Sequence, residues 1–314
     1  MMFSRIRKRI SRAPVIEGLE ERRLLSAVPS QARVSEINVN GGIELRVTGT
    51  NRADVVTISD NGTGQPGNIQ VTVNGRAYIS RFADSSIYVM GNGGNDHVTY
   101  NLTGNLISAR TVIAMLGTGN DQFTANLNYD LQTSKFLDLE ANGEAGNDTL
   151  KVNQTGMVTA GSDFIYLNGG AGDDQISYNF VGDIAAGAVV GPALLGGAGN
   201  DQISLNYSGN VLGQILYNDT IDGGSGSDKL TANLHLGVYS TGKVGTSPTS
   251  PAIVNGSDGN DSIQYVVTVD PAATTTQSLA QVFASAQGGP GTDTVLRSSN
   301  VAGDPSNEND AVIS

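Results

Sequence analysis

Asp96, Asp121, Asp148, Asp174, Asp201, Asp228, Asp261 and Asp293 each end a six-residue glycine-rich segment. The segments read GNGGND, LGTGND, GEAGND, GGAGDD, GGAGND, GGSGSD, GSDGND and GGPGTD. Successive aspartates lie 25, 27, 26, 27, 27, 33 and 32 residues apart. Carboxylates beside glycines point to oxygen chemistry. Glycine lets backbone carbonyls turn inward, and calcium takes about six to eight oxygens, mixing carboxylates with carbonyls. Stacked turns would place the carboxylates in a column about 4.8 Å apart. Adjacent pairs then repel by about 1 kcal/mol in water and about 3–4 kcal/mol at an effective dielectric of about 20. A divalent cation between them removes that cost. The competing reading is an Asx-type cap on each turn, which needs no metal. His97 and His235 lie in different contexts and make no transition-metal set.

The residues after each aspartate must position it. Apolar residues follow at two, four and six positions: Val98/Tyr100/Leu102, Phe123/Ala125/Leu127, Ile176/Tyr178/Phe180, Ile203/Leu205/Tyr207, Leu230/Ala232/Leu234 and Ile263/Tyr265/Val267, with Leu150/Val152 in the shorter set. Period-two alternation is a strand with one buried face. Five residues past the aspartate stand Asn101, Asn126, Asn153, Asn179, Asn206 and Asn233, which stacking would align as an amide ladder. A second apolar run precedes each turn, for example Val112 to Leu116 and Phe164 to Leu167. The pattern predicts an all-β chain, a right-handed parallel β-helix (β-solenoid) with coils of about 27 residues. The main alternative is an antiparallel β-sandwich, which needs no identical turns in register.

Four regions follow: residues 1–30 as a basic leader, 31–90 as an N-terminal capping β region, 91–236 as regular coils, and 237–314 as irregular C-terminal coils. Within the second, Gly49 to Asp54 reads as a degraded turn. The last region carries an insertion loop, GKVGTSPTSP, a short helix expected over Ser278 to Ala286, and a partial repeat from Asn307 to Ser314.

Composition narrows the function. The chain of 314 residues has 41 glycines, no tryptophan and no cysteine, which excludes disulfides and thiolate sites. Residues 1–30 hold seven Lys/Arg and three Asp/Glu; residues 31–314 hold eleven and twenty-seven, a charge of −16. Such a body repels nucleic-acid phosphates and attracts cations. No apolar run is long enough for a transmembrane helix. Across residues 91–236 the cations Arg110, Lys135, Lys151 and Lys229 share no repeat position, and no nucleophile or phosphate-loop motif occurs. Asp173/Asp174 and Asp219/Asp222 are carboxylate pairs that turn chemistry explains first. The chain is therefore expected not to be an enzyme.

The turns resemble the RTX, or hemolysin-type, calcium-binding repeat, GGxGxDxUx with U a large apolar residue. Gly169 to Ile176, Gly196 to Ile203, Gly223 to Leu230 and Gly288 to Val295 fit it fully. The resemblance implies Ca2+ held between adjacent turns by turn carbonyls and by the eight aspartates. Those repeats usually run as tandem nonapeptides; here one turn per coil implies calcium on one edge. Leu19 to Ser26 (LEERRLLS) resembles the LEPR-XLL motif of exported bacterial proteins, with Glu21 in place of proline. Together these imply an extracellular or cell-surface calcium-binding scaffold or adhesive element, with calcium ions, and cell-surface glycans or matrix proteins, as partners. A polysaccharide-binding or polysaccharide-processing β-helix is the alternative, and a piece of a larger repeat protein a third.

Overall fold

The computed structural model describes residues 31–299 and 310–313, apart from 40, 83–84, 132–134, 217–219, 246, 248–250 and 271–280. The basic leader with its LEPR-XLL-like stretch, and Asp219, lie outside the described residues. Twenty-five strands and no helix make up the described chain. They form one sheet of 13 strands (sheet A) and one of 12 (sheet B). Each regular coil runs along sheet A, turns through a glycine–aspartate segment, runs along sheet B and returns. Lys135–Ala145, Gly161–Ala171 and Val189–Ala198 are successive sheet A strands; Thr149–Thr155, Gln175–Val181 and Gln202–Gly209 are their sheet B partners.

Neighbouring coils pair in parallel and in register. Leu150 faces Ile176, which faces Ile203, which faces Leu230. The antiparallel sandwich is excluded by this pairing: antiparallel pairs occur only near the ends of the described chain. Arg33–Val39 folds back on Gly42–Thr48, and Val55–Asp60, Ile69–Val73 and Arg76–Ile79 form a meander. At the other end Asp310–Ile313 runs antiparallel to Thr294–Ser299. The expected partial repeat after Asn307 is thus corrected in its described part: it reverses on the last strand and adds no parallel coil. The expected helix is also corrected. Gln281–Val282 and Ala284–Gln287 are strands, paired in parallel to Lys243–Val244 and Ala252–Asp258. Sheet pairing overrides local helix propensity there. Ser278 to Ala280 lie outside the described residues.

The apolar residues of both sheets meet inside. Val98, Tyr100, Leu102, Phe123, Leu127, Ile176, Phe180 and Ile203 are all buried, facing Ile87, Val112, Leu139, Ile165 and Leu194 of sheet A. Two polar layers interrupt this lumen. Asp60 and Arg110 form an ion pair at 2.8 Å with both side chains fully buried. Asp60 also accepts from the Tyr100 hydroxyl at 3.0 Å and the Gly62 N–H at 2.8 Å. Further along, Gln154 occupies the inward place taken by Leu127 and Phe180 in adjacent coils. Its amide donates to Asp163 Oδ2 at 2.7 Å and accepts from the Tyr178 hydroxyl at 2.7 Å. Burial pushes the Asp163 carboxyl up to about 6.

A buried pair is costly to break from one side. Arg110→Met, which leaves Asp60 without its guanidinium, is expected to cost about 3–5 kcal/mol. The measurement is the denaturation midpoint, and adding Asp60→Leu should restore most of the loss. Equal destabilisation in the double variant would contradict the pairing.

Candidate metal centre

The eight aspartates form one column along one edge of the stack. All are buried, between 0 and 3% exposed. Each Oδ1 accepts the N–H of the preceding coil's aspartate: Asp96 donates to Asp121 at 2.6 Å, Asp121 to Asp148 at 2.7 Å, Asp148 to Asp174 at 2.7 Å, Asp174 to Asp201 at 2.8 Å and Asp201 to Asp228 at 2.7 Å. Asp228 to Asp261 and Asp261 to Asp293 follow at 2.9 Å. The cap is therefore real, but it ties coil to coil instead of closing its own turn.

Oδ2 is the other half. In all eight aspartates it is buried with no hydrogen-bond partner. A buried acceptor left unpaired costs about 1–3 kcal/mol, more when charged.

Seven of the eight turns are shaped around that oxygen, and their glycines serve two distinct needs. The second and fourth positions take left-handed backbone: Gly197 at φ 110° and Gly199 at 137°, Gly224 at 98° and Gly226 at 135°. The first position needs no such φ. There a methyl would collide with the carboxylate: at Gly169 it would strike Asp174 Oδ2 and meet the Gly196 carbonyl oxygen at 2.7 Å. Gly223 repeats this with Asp228 Oδ2 and the Gly256 carbonyl at 2.8 Å, and Gly256 with Asp261 Oδ2 and the Gly288 carbonyl at 2.6 Å. Oδ2 and the next coil's carbonyl thus share the space the glycine leaves open. Leu116 departs from the pattern, standing first in the turn of Asp121 with its side chain fully buried.

Glu144 takes the second, left-handed position at φ 72°. That conformation costs a side-chain-bearing residue roughly 1–2 kcal/mol. Glu144→Gly is expected to stabilise the protein by about 1 kcal/mol, read as a raised melting temperature; a lowered one would contradict the strain.

A second column runs beside the first with opposite polarity. Asn95 Oδ1 accepts the Asn120 N–H at 3.1 Å, Asn120 Oδ1 that of Asn147 at 3.0 Å, and Asn147 Oδ1 that of Asp173 at 3.0 Å. Asp173 is thereby a link between coils, as its neighbour Asp174 is in the first column.

The column's charge is under strain. Burial, the main cause, raises the carboxyls of Asp96 and Asp174 to about 7 and those of Asp148 and Asp228 to about 6. The N–H bond at Oδ1 opposes this, and neighbouring carboxylates add to it: Asp121 and Asp54 on Asp96, Asp148 and Asp201 on Asp174. Asp121, Asp201 and Asp261 are raised as well, again mainly by burial.

Asp54, at the head of the column, is the internal contrast. Its own N–H donates to Asp96 Oδ1 at 2.7 Å, so it belongs to the ladder. Its Oδ2 is satisfied, accepting the Thr50 N–H at 2.6 Å and the Thr50 hydroxyl at 3.0 Å, while Asn74 donates to Oδ1. Neither Thr50 nor Arg52 adopts left-handed backbone. The degraded turn GTNRAD has thus become a pure cap. Its missing second and fourth glycines were the readable signal of that change.

The donor set fits calcium. Among the described residues, no three His, Cys, Asp or Glu side chains converge on one point. An ion on this edge would draw on one or two carboxylates completed by main-chain carbonyls, an all-oxygen set suited to a hard cation. His97 and His235 lie in different coils, and His235 Nδ1 faces the Thr268 hydroxyl at 3.1 Å.

No curated protein and no solved structure matches the chain. Residues 216–234 match the family model of the RTX calcium-binding nonapeptide repeat (4 copies). That stretch spans the turn from Gly223 to Asp228 and the strand Lys229–Leu236 as far as Leu234. That family's repeat binds Ca2+, and the glycine–aspartate turn ending at Asp228 is similar to it.

Proposed function

We propose that the chain is a non-catalytic, calcium-binding scaffold of the extracellular space or cell surface, a right-handed solenoid with coils of about 27 residues. Asp96, Asp121, Asp148, Asp174, Asp201, Asp228, Asp261 and Asp293 supply its carboxylate ligands. The observation that carries this reading is the row of eight buried, unpartnered Oδ2 atoms, six of which (those of Asp96, Asp148, Asp174, Asp201, Asp228 and Asp261) share the space at the first turn glycine with a carbonyl of the next coil. Bound calcium supplies the positive charge the column lacks. The chain's own part is to exclude water, hold each Oδ1 on its neighbour's N–H and aim Oδ2 along the edge. Asp54, with both oxygens engaged, is left outside the set. Handedness rests on the general preference of parallel crossovers. The repeat family, the acidic body and the basic leader favour export. Two cavities, of about 280 and 160 Å3, lie near the N-terminal meander, away from most of the column.

The test is calorimetric titration of the metal-stripped full chain with calcium and, separately, magnesium. Binding of several calcium ions per chain with little response to magnesium is expected, because an irregular carbonyl-rich site suits the larger ion. No calcium binding, or equal binding of both ions, would overturn the assignment. Cell fractionation that places the protein in the cytosol would remove the localisation.

A further inference from the structure

The outward face of sheet B differs from the rest of this acidic molecule. Its nine parallel strands are Val55–Asp60, His97–Thr103, Gln122–Asn128, Thr149–Thr155, Gln175–Val181, Gln202–Gly209, Lys229–Leu236, Ser262–Val269 and Thr294–Ser299. Among the described residues, no outward position of these nine strands carries Asp or Glu, although residues 31–314 hold twenty-seven acids. Asp60 points inward to Arg110. The face instead presents ranks of Thr, Ser, Asn and Gln, interrupted by Val55, Val181, Val266 and Leu296 and by His97 and His235, with Lys151 and Lys229 as its ammonium groups.

The asparagine rank is tied from coil to coil by its own amides. Asn126 donates to Asn101 at 2.9 Å, Asn153 to Asn126 at 3.1 Å, Asn179 to Asn153 at 3.3 Å, Asn206 to Asn179 at 2.9 Å and Asn233 to Asn206 at 3.1 Å. A side-chain amide has two N–H donors and two acceptor lone pairs. Within the ladder each amide spends one of each, leaving one donor and one acceptor toward solvent in a fixed orientation. Rigid polar groups lose little entropy when a partner binds. With coils about 4.8 Å apart, nine strands give a rank roughly 38 Å long.

At the N-terminal end of this face lies the cavity of about 160 Å3, lined by Ser59, Asp60, Asn61, Asn68, Gln70 and Thr103. Ser59 and Thr103 belong to the face itself. Asn68 is 6% exposed, and neither its amide oxygen nor its nitrogen has a partner. A group that both donates and accepts answers that pair, and a sugar hydroxyl is such a group. Asp60 is already neutralised by Arg110, so the cavity offers hydrogen bonds without free charge.

We propose that the outward face of sheet B docks a neutral polysaccharide lengthwise, and that the cavity at its end takes one sugar unit, drawing on the Asn68 amide. The face suits a partner rich in hydroxyls and poor in charge: its ranks offer donors and acceptors, and no acid stands at an outward position of these nine strands. This surface is separate from the calcium edge and does not depend on how many turns hold an ion.

The test uses the full chain in calcium-containing buffer. It combines affinity electrophoresis in soluble neutral glucans, retention on cellulose and chitin, and alginate and polygalacturonate as acidic comparisons. Retention by at least one neutral polymer is expected. Thr155→Glu with Gln264→Glu, two exposed outward positions outside the asparagine ladder, should weaken it at least tenfold at an unchanged melting temperature. Asn68→Ala should weaken it without changing which polymer is preferred. The proposal is overturned if no neutral polymer retains the chain, if only the acidic ones do, or if the acidic double variant binds like the parent.

Discussion

Replacing Asp174, Asp201 and Asp228 together by asparagine is expected to remove a large part of the calcium dependence of the melting temperature and to leave the chelated protein at least as stable as the parent. Asparagine keeps the oxygen that accepts the preceding coil's N–H, so the ladder of 2.7–2.8 Å bonds through Asp174 and Asp201 survives. Only the unpartnered, charge-bearing oxygen is replaced. A ligand at a hundredfold excess over its Kd stabilises by about 2.7 kcal/mol per site. Three sites give about 8 kcal/mol, or roughly 15 °C or more for a chain of this size. If the aspartates were caps alone, calcium would shift neither protein.

The pH dependence of the parent provides a second reading of the same column. Without calcium, the folded carboxyls of Asp96 and Asp174 titrate at about 7 and those of Asp148 and Asp228 at about 6, above the ordinary value of 3.8. A group whose pKa is raised by folding stabilises below its unfolded value and loses that contribution as pH climbs through the folded one. Chelated protein should therefore lose stability between about pH 4 and pH 7, and in calcium the trend should reverse, because the ion favours the ionised carboxylate. A chelated protein that gains stability over this window would refute the burial of uncompensated carboxyls.

Gly199→Ala is expected to be among the most damaging single substitutions, costing more than about 4 kcal/mol. Two faults coincide: the position has φ 137°, and the added methyl would run into the Gly172 carbonyl of the neighbouring coil. Gly187→Ala separates them. Its φ is 83°, yet nothing lies within 4 Å of an added methyl, so only the backbone cost of roughly 1–2 kcal/mol should appear. Gly169→Ala isolates the third case. Its backbone is ordinary, but its methyl would displace Asp174 Oδ2, so calcium stabilisation should fall along with folding. Equal melting temperatures for Gly199→Ala and Gly187→Ala would deny the contact between turns.

Much of this architecture was legible in the sequence because a repeat writes each contact several times. The inward triplets, the asparagine ladder and the aspartate spacing all become columns once neighbouring coils pair in register. Features that occur once were harder to read. The Asp60–Arg110 pair joins residues 50 apart, and no local pattern marks it. Gln154 did leave a trace, since the inward triplet of its coil stops after Val152, but the partner Asp163 lies on the other sheet. The glycines read simply as permission to turn. That the first makes room for a carboxylate while the second and fourth relieve the backbone needs coordinates. The expected helix ending at Ala286 failed for the complementary reason: an open sheet edge claimed that segment, whatever its isolated preference.

The two opposed columns bear on how such a molecule can change size. Every link joins a donor in one coil to an acceptor at the equivalent place in the next, and the aspartate and asparagine sets point in opposite directions. A whole coil can then leave or enter without orphaning either series. Excising residues 202–228 would put Lys229 on the Asp174 carbonyl where Gln202 now donates, and Asp261 would follow Asp201 in the register that Asp228 holds. Length is thus a free variable of this fold. Duplication or loss of coding units of about 27 residues could set its reach as links set that of a chain, with the cap at Asp54 fixing where the count begins.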